Sequence, residues 1–300
     1  MFATLAGGYP WPPDLLAEAA LEAVVAAQVE AGLELLADGR VHAVDTPPAD
    51  LVATWVAACV AAGRVAAARA TTLPVKVAVV GPFAAAGPER AHETARALNQ
   101  ALLALADAGC PVVEVHEPAA TLPSDDAGRA AFAAAHVALL AGIPADLHAS
   151  LAITGGDAVP LGAAALFAAP YRSHLFDLVA GPDSWRLIAV APPERGIIVG
   201  VGDASGRRRT RVEDVVWAAG YAASTQGRGM DRVGIAPSGS FAGVEPARAR
   251  EVLDLLGEAA RTIAGGRGEV LARLDPRAID ARSAALGHYR PARRRRPPGR

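Results

Sequence analysis

Short apolar segments alternate with longer amphipathic segments from one end of the chain to the other. Eight apolar segments are candidate strands, at residues 2–8, 33–38, 75–81, 111–116, 146–153, 175–181, 196–202 and 231–236. Most of them are continuously apolar, as strands covered on both faces of a sheet should be. Strands that alternate with helices indicate repeated βα units and a parallel sheet.

The segments between the candidate strands carry helical signals. After the third strand, polar residues share one helical face, at Glu89, Glu93, Arg96, Gln100 and Asp107. Leucines 98, 102 and 105 lie on the opposite face, which predicts an amphipathic helix. Gly32 and Gly109 stand where a left-handed residue ends a helix. Eight such units with short joints favour a closed (β/α)8 TIM barrel, and no GxGxxG motif supports an open dinucleotide-binding sheet.

Length and composition are consistent with one large α/β domain. The chain has 300 residues, 52% of them hydrophobic, which is enough for a core on both faces of a sheet. No strongly apolar stretch of about 18 residues predicts a transmembrane span, and no basic segment precedes the first apolar run as in a secretory signal. A cytoplasmic location is therefore expected. Cys59 and Cys110 lie in apolar segments without metal-binding spacing, which favours core thiols.

Charge is distributed unevenly along the chain. Residues 289–300 contain six arginines and no acid, so the formal charge of −2 for the whole chain leaves −8 on residues 1–288. An acidic body offers no continuous basic surface for a phosphate backbone, so nucleic-acid binding is disfavoured. The proline-rich, like-charged end predicts disorder. We therefore expect a barrel over residues 1–265 and an extension over 266–300 that ends in a disordered basic tail.

In a barrel of this type, reactive groups lie just past the carboxyl ends of the strands. Polar and turn residues cluster at the segments that we interpret as strand ends. They are Gly7-Gly8-Tyr9-Pro10, Asp38-Gly39-Arg40, Gly81-Pro82-Phe83, His116-Glu117-Pro118, His148-Ala149-Ser150, Gly181-Pro182-Asp183, Asp203-Ala204-Ser205 and Ser238-Gly239-Ser240. These segments form the candidate site.

Six of the strand-end motifs, in order, resemble the catalytic barrel of the cobalamin-independent methionine synthase family. GGYPWP resembles G-S-[FY]-P, QVEAGLELLADGR resembles Q-x-x-A-G-x-D-x-x-[TS]-D-G-E, and VKVAVVGPF resembles V-K-x-x-x-x-G-P. VEVHEPA resembles I-D-E-P-A, VGVGDAS resembles G-V-x-D-x-[KH]-S, and VGIAPSGSF resembles L-x-P-[DS]-C-G-L. The resemblance runs from about residue 3 to residue 262. It implies an α/β TIM barrel of the methionine synthase/uroporphyrinogen decarboxylase-like type.

Enzymes of that family activate a thiol such as homocysteine on zinc and transfer an alkyl group to or from it, with 5-methyltetrahydrofolate as one donor. The resemblance places the zinc-binding H-x-C strand at His148-Ala149-Ser150, the ligand Glu near Gly181-Pro182, and the last ligand Cys at Gly239. Only the imidazole of His148 remains, with Asp183 one position after the lost Glu. A hydroxyl is a poor zinc ligand at neutral pH. We therefore predict no metal site beyond this remnant and no cofactor, with zinc disfavoured.

The resemblance also indicates a changed substrate pocket. Arg40 stands where the family has a Glu that holds the substrate ammonium, and His116 stands where it has an Asp. Two anions are thus replaced by a cation and a titratable group, which should disfavour an α-ammonium and favour a neutral or anionic ligand. Ser205 occupies the family's late proton-donor position and is a poor acid at neutral pH.

The candidate catalytic residues are His148, His116, Glu117 and Asp203, and the candidate substrate-binding residues are Gly8, Tyr9, Arg40, Ser150 and Ser238. Structural alternatives stay open for four of them. Arg40 either faces an anion or is an exposed loop arginine. His148 fits either a pocket role or a hydrogen-bonded structural role. Glu117 fits either a pocket role or a scaffold role that ties loops together. Asp203 either orients His148 or satisfies loop amides, and Lys76, the chain's only lysine, is interpreted as structural.

Three hypotheses about function follow. The first is a zinc-independent enzyme that transfers or eliminates a small group on a small neutral or anionic substrate. The second is a genuine cobalamin-independent methionine synthase-type methyltransferase that recruits metal through other ligands such as Asp183. The third is a non-catalytic binding or scaffold barrel. A small molecule is the expected partner in the first two, without membrane or nucleic acid, and the oligomeric state is open.

Overall fold

The computed structural model describes residues 1–67, 72–206 and 208–275. They form an eight-stranded parallel sheet in the order β1-β8-β7-β6-β5-β4-β3-β2. The strands are β1 (Phe2–Ala3), β2 (Leu36–Ala37), β3 (Val75–Val80), β4 (Val112–Pro118), β5 (His148–Thr154), β6 (Ser173–Asp177), β7 (Gly196–Gly202) and β8 (Val233–Pro237). A parallel bridge joins Thr4 to Leu35, and the Thr4 hydroxyl donates to the Leu35 carbonyl at 2.9 Å. These contacts join the first and second strands, so the sheet closes into a ring.

Helices alternate with the strands and surround the ring. They are α1 (Ala17–Ala31), α2 (Pro48–Val65), α3 (Pro82–Asp107), α4 (Asp126–Leu139), α5 (Gly162–Leu166), α6 (Trp185–Val190), α7 (Val212–Ser224), α8 (Pro246–Ala264) and α9 (Arg267–Leu274). The predicted (β/α)8 TIM barrel is confirmed. Each predicted strand overlaps an observed one, although β1 and β2 are shorter than predicted and β6 begins and ends earlier.

The local helical signals are confirmed in detail. In α3, Leu98, Leu102 and Leu105 are buried, as the periodicity predicts. Gly32 ends α1 with φ of 94°, and Gly109 follows α3 with φ of 88°. Both lie in the left-handed region, where a side chain is strained and glycine is not.

Two apolar cores flank the sheet. The larger one fills the space between the strands and the helices. The smaller one lies inside the ring, where Leu175 and Ile198 meet three alanines, Ala6, Ala152 and Ala236. Barrel interiors are usually filled by bulky branched side chains. The small residues here leave room in the lumen for polar side chains.

Helix α2 is, by length and composition alone, apolar enough to cross a membrane, with a mean hydropathy of 1.2 over its 18 residues. It buries Leu51, Ala58, Ala61 and Ala62 in the barrel. Both cysteines are free thiols, and Cys110 is buried.

The predicted boundary at residues 265 and 266 falls between α8 and α9. Helix α9 contacts the barrel through Arg273, which lies 2.7 Å from Glu213 and 2.8 Å from Glu258. The predicted basic tail lies outside the described residues, so the division at this boundary stays a prediction.

Candidate active site

A chain of three buried ionisable side chains runs through the lumen. Strand alternation turns Glu114 and His116 of β4 inward, together with Lys76 of β3. The Lys76 Nζ atom lies 2.5 Å from Glu114 Oε2 and donates to the Leu5 carbonyl at 2.7 Å. His116 Nε2 lies 2.7 Å from Glu114 Oε1, and the Gly7 amide donates to the same oxygen at 3.4 Å. One carboxylate therefore links a cation to an imidazole.

Glu114 is charged in this arrangement. Burial by itself would raise the pKa of its carboxyl group, but Lys76 and His116 outweigh burial and lower the pKa to about 2. The interpretation of Lys76 as structural did not include this partner, and Glu114 was missed altogether. A glutamate and a lysine inside otherwise apolar strands were the available signal, since buried charges are rare unless they are paired.

His116 lies near the carboxyl end of β4, where the sequence predicts catalytic groups. It is 7% exposed, and its ring packs against Gly7. A Cβ atom on Gly7 would stand 3.2 Å from His116 Cε1, 3.1 Å from Val41 and 3.3 Å from Ser240, and Gly7 also has φ of 69°. The loop after β1 approaches the imidazole this closely because its residue is glycine.

Three predicted substrate-binding residues gather at the same end of the barrel. The Gly8 amide donates to Ser240 Oγ at 3.1 Å. Tyr9 packs edge-to-face on Phe241, with ring centroids 6.1 Å apart. Ser238 is 7% exposed and follows β8. The structure therefore brings Gly8, Tyr9 and Ser238 to the end of the barrel that holds His116, and their contact with substrate stays a prediction.

Glu117 faces away from the lumen, so its predicted pocket role is wrong. It is fully buried and accepts the amides of Phe83 at 2.9 Å and Ala84 at 2.7 Å, in the first turn of α3. His136 Nε2 of α4 lies 3.2 Å from its Oε1. A carboxylate at a helix amino terminus satisfies free amides and complements the helix dipole. Glu117 thus has the scaffold role that the sequence left open.

Asp203 satisfies loop amides and does not orient His148. It is fully buried and accepts the Ser205 amide at 2.8 Å and the Ser205 hydroxyl at 2.6 Å. Burial would raise its pKa, but these bonds, with one from the Arg208 amide, lower it. Asp203 follows β7 at the carboxyl end of the barrel, whereas His148 lies at the amino end. Of the two alternatives that the sequence left open for Asp203, the orientation of His148 is therefore wrong.

His148 begins β5, so its predicted position at the carboxyl end is wrong. Its Nε2 lies 2.8 Å from the Ser173 hydroxyl. Burial, with a smaller effect of Arg172, lowers the pKa of His148 to about 4. Ser150 lies two residues further along β5, in register with Glu114 and Ser173. His148 and Ser150 therefore belong to the amino end of the lumen and are not beside Gly8 and Tyr9.

Arg40 does not join His116. Its guanidinium stacks on Trp11, 3.8 Å from the ring centroid, and both residues line a groove of about 520 Å³ between α1 and α2. Arg40 is exposed. Arg40 and His116, which the sequence predicts in one pocket, are therefore not brought together. An anion-binding role for Arg40 stays a prediction.

The sixth strand ends at Asp177, four residues before the predicted end. Asp177 was missed. Its carboxylate accepts the amides of Gly155, Val179 and Ala180 at 2.9–3.0 Å. Burial raises its pKa, and the three amides partly oppose that effect. Asp183 is exposed and lies 3.2 Å from Arg186.

The donor atoms at the family's ligand positions do not fit zinc. His148 is at the amino end, and Asp183 is on the surface. Ser150 supplies only a hydroxyl, and Gly239 has no side chain. Within residues 1–67, 72–206 and 208–275, no group of three His, Cys, Asp or Glu side chains could hold a metal ion. Tight zinc binding requires about three or four such donors.

We therefore expect the purified protein to contain well under one zinc per chain. Elemental analysis after purification without chelator and extensive dialysis measures this directly. Near-stoichiometric zinc retained through dialysis would contradict the expectation.

Comparisons with known proteins agree with the barrel. No protein-family model matches the sequence, and no curated relative matches it. A B12-independent methionine synthase from Shewanella sp. W3-18-1, solved in complex with selenomethionine, superposes with a TM-score of 0.69 and 15% identity over 90% of this chain and 98% of that one. A dihydrodipicolinate synthase from Bacillus anthracis gives a TM-score of 0.52 and 12% identity over 97% of this chain and 84% of that one.

These neighbours define the class of protein coarsely. The chain is a TIM-barrel-like α/β protein. Its structural neighbours include methionine synthase-like barrels, as the sequence motifs indicate, and also barrels of another synthase class. At such identities the likeness shows the fold, and function depends on the site.

Proposed function

We propose that this barrel is an enzyme that transfers or eliminates a small group on a small neutral or anionic substrate at the carboxyl end of the barrel. His116 is the proposed acid and base, and the chemistry proceeds without thiolate-bound zinc. The observation that carries the proposal is the contact of His116 with the buried, charged Glu114, which is itself held by Lys76.

Glu114 determines how the imidazole would work. A carboxylate accepts hydrogen bonds only, so it favours the His116 tautomer that carries its proton on Nε2. Nδ1 is then left with a lone pair that can take a proton from a substrate. Lys76 holds the carboxylate in place, so the contact at Nε2 also fixes the orientation of the imidazole ring. Glu114 and Lys76 are thus positioning residues in this proposal.

The reaction class rests on the resemblance to alkyl-transferring barrels. The sequence motifs and the superposition on a methionine synthase both support it. The altered ligand positions, with His148 at the amino end and Gly239 without a side chain, favour chemistry other than thiol activation. The imidazole of His116 remains at the carboxyl end, and it can donate and accept protons during group transfer or elimination.

The proposal predicts a large and specific loss of turnover when His116 is replaced by glutamine. A thermal-shift screen of small carboxylates, amides, sulfides and thioethers, with homocysteine and methionine included, would first identify a stabilising compound. Its conversion by the full-length protein would then be followed by NMR. General acid–base catalysis typically contributes about 10²–10⁴-fold, so we expect His116→Gln to lower the turnover by that factor. The exposed His92 provides the matched control, His92→Gln, which should keep full activity.

Three outcomes would contradict this proposal. A stabilising compound that binds at the carboxyl end and is never converted would favour the scaffold hypothesis. Conversion that His116→Gln leaves unchanged would remove His116 from the reaction. Methyl transfer to homocysteine that appears only with added zinc would favour the methionine synthase-type hypothesis.

A further inference from the structure

A cavity opens at the amino end of the lumen, away from the proposed active site. Its volume is about 280 Å³. Phe2, Val112 and Ile198 provide apolar walls, and Lys76 and Ser150 provide polar groups. TIM-barrel enzymes place their chemistry at the opposite end. This cavity therefore lies at the other end of the lumen from His116, although Lys76 and Glu114, which hold His116, also line it.

The hydroxyl of Ser150 lies in this cavity without a partner. Ser150 is 2% exposed, and its Oγ atom is buried with no hydrogen bond. The neighbouring polar side chains are paired, since Lys76 contacts Glu114 and Ser173 contacts His148. A buried polar group without a partner is unfavourable. Ser150 thus marks a position where a ligand atom would complete the structure.

The unused hydrogen-bond donors at this position favour a ligand that carries a hydrogen-bond acceptor. The Lys76 ammonium has three N–H groups and uses two of them, on Leu5 and Glu114. Its third N–H and the Ser150 O–H are both donors. Because both residues line the cavity, a ligand carbonyl oxygen that reached both groups would accept a hydrogen bond from each.

Charge in the cavity favours an uncharged ligand. Lys76 and Glu114 neutralise each other at 2.5 Å. A carboxylate ligand would be repelled by Glu114 and an ammonium ligand by Lys76. Glu34 also lines the cavity, but its side chain is exposed to solvent, which screens its attraction for an ammonium. The apolar walls suit a short aliphatic body.

Access is provided by a second cavity that shares part of the same wall. This neighbouring space of about 330 Å³ is also lined by Phe2, His148, Ser173 and Ile198. It extends to Arg172, which is exposed on the amino face of the barrel. A small molecule could therefore enter from that face past His148.

We propose that the amino end of the lumen is a second binding site, for a small uncharged molecule that carries a carbonyl oxygen on a short apolar body. The carbonyl accepts from Ser150 and Lys76, and the apolar part lies against Phe2, Val112 and Ile198. The site does not depend on any reaction at His116.

The test compares small probes on the full-length protein by NMR. Pentanamide and pentanoate are isosteric and differ in charge, pentylammonium carries the opposite charge and lacks the carbonyl, and xenon reports the apolar cavity alone. We expect pentanamide to shift the resonances of Ser150 and Ser173, and the two ions to bind at least about tenfold more weakly. Ser150→Ala should weaken pentanamide about three- to tenfold, the effect of one neutral hydrogen bond, and leave xenon binding unchanged. Ser224→Ala, on the exposed end of α7, is the matched control and should change neither.

A second variant tests the same cavity without removing the Ser150 hydroxyl. Val112→Phe fills the cavity and should abolish the binding of both pentanamide and xenon. Absence of any shift at Ser150 and Ser173 with pentanamide would overturn the proposal. Equal binding of pentanoate, or an unchanged pentanamide affinity in Ser150→Ala, would overturn it as well.

Discussion

Replacing Lys76 with methionine is expected to lower the free energy of unfolding by about 3–5 kcal/mol, the usual effect of breaking a buried ion pair from one side. Lys76 and Glu114 are each 1% exposed, so Glu114 would keep its charge without a compensating cation. The Leu5 carbonyl would lose its donor as well. Urea denaturation at pH 7 measures the change.

The double variant Lys76→Met/Glu114→Gln separates charge from shape. Removing both charges should recover much of the loss, because an uncharged pair requires no counterion. Acid unfolding gives a further check. The lowered pKa of Glu114, about 2, stabilises the fold above the unfolded pKa near 4.5, and this contribution is lost as the pH falls through the folded value. Without Lys76 that loss should begin at a higher pH. A single variant within about 1 kcal/mol of the parent would show that the ion pair contributes little to stability.

The barrel could be predicted from the sequence because its signals are local. Strand β7 has the predicted bounds, 196–202, and β3 differs from its prediction by one residue. Most strands lie in short runs of mainly apolar residues, and residues such as Gly32 and Gly109 mark the helix ends within a few positions. Local patterns repeated eight times define a (β/α)8 barrel without knowledge of any long-range contact.

The site could be predicted only in part because its contacts are distant in sequence. His116 was placed at the carboxyl end by its position in β4. Glu114 pairs with Lys76 across 38 residues, and Glu117 reaches the amide of Phe83 across 34 residues. Alternation along β4 indicates that Glu114 and Glu117 face opposite sides of the sheet, but it does not say which side is the lumen.

The misplacement of His148 has a different cause. The motif resemblance made His148-Ala149-Ser150 a strand end, although most of the predicted strand, 146–153, follows His148. Position within the strand was the better signal, and it places His148 at the amino end, as in the structure. A residue role should be transferred from a family motif only where the residue also has the same position within its strand.

A second large effect is expected from His174, which faces the helices from β6. It is 1% exposed, neither ring nitrogen has a well-formed hydrogen bond, and Phe167 and Phe176 lie 5.0 and 6.3 Å from its ring centroid. Burial, with a smaller effect of Arg195, lowers its pKa to about 3. The imidazole is therefore neutral in the folded protein at a pH where an unfolded histidine is already protonated.

Acid should therefore destabilise the protein through His174, and His174→Phe should remove this part of the pH dependence. Below the unfolded pKa of 6.5, the imidazole of His174 is protonated in the unfolded state. In the folded state it stays neutral until the pH falls to about 3. The free energy of unfolding then falls by about 1.4 kcal/mol per pH unit for this one group. Between pH 7 and pH 4, we expect the free energy of unfolding of His174→Phe to fall by on the order of 2–3 kcal/mol less than that of the parent. Urea denaturation at each pH measures this difference. His92→Phe, on an exposed face of α3, should follow the parent. If the parent and His174→Phe show parallel curves over that range, the imidazole is not held neutral by burial.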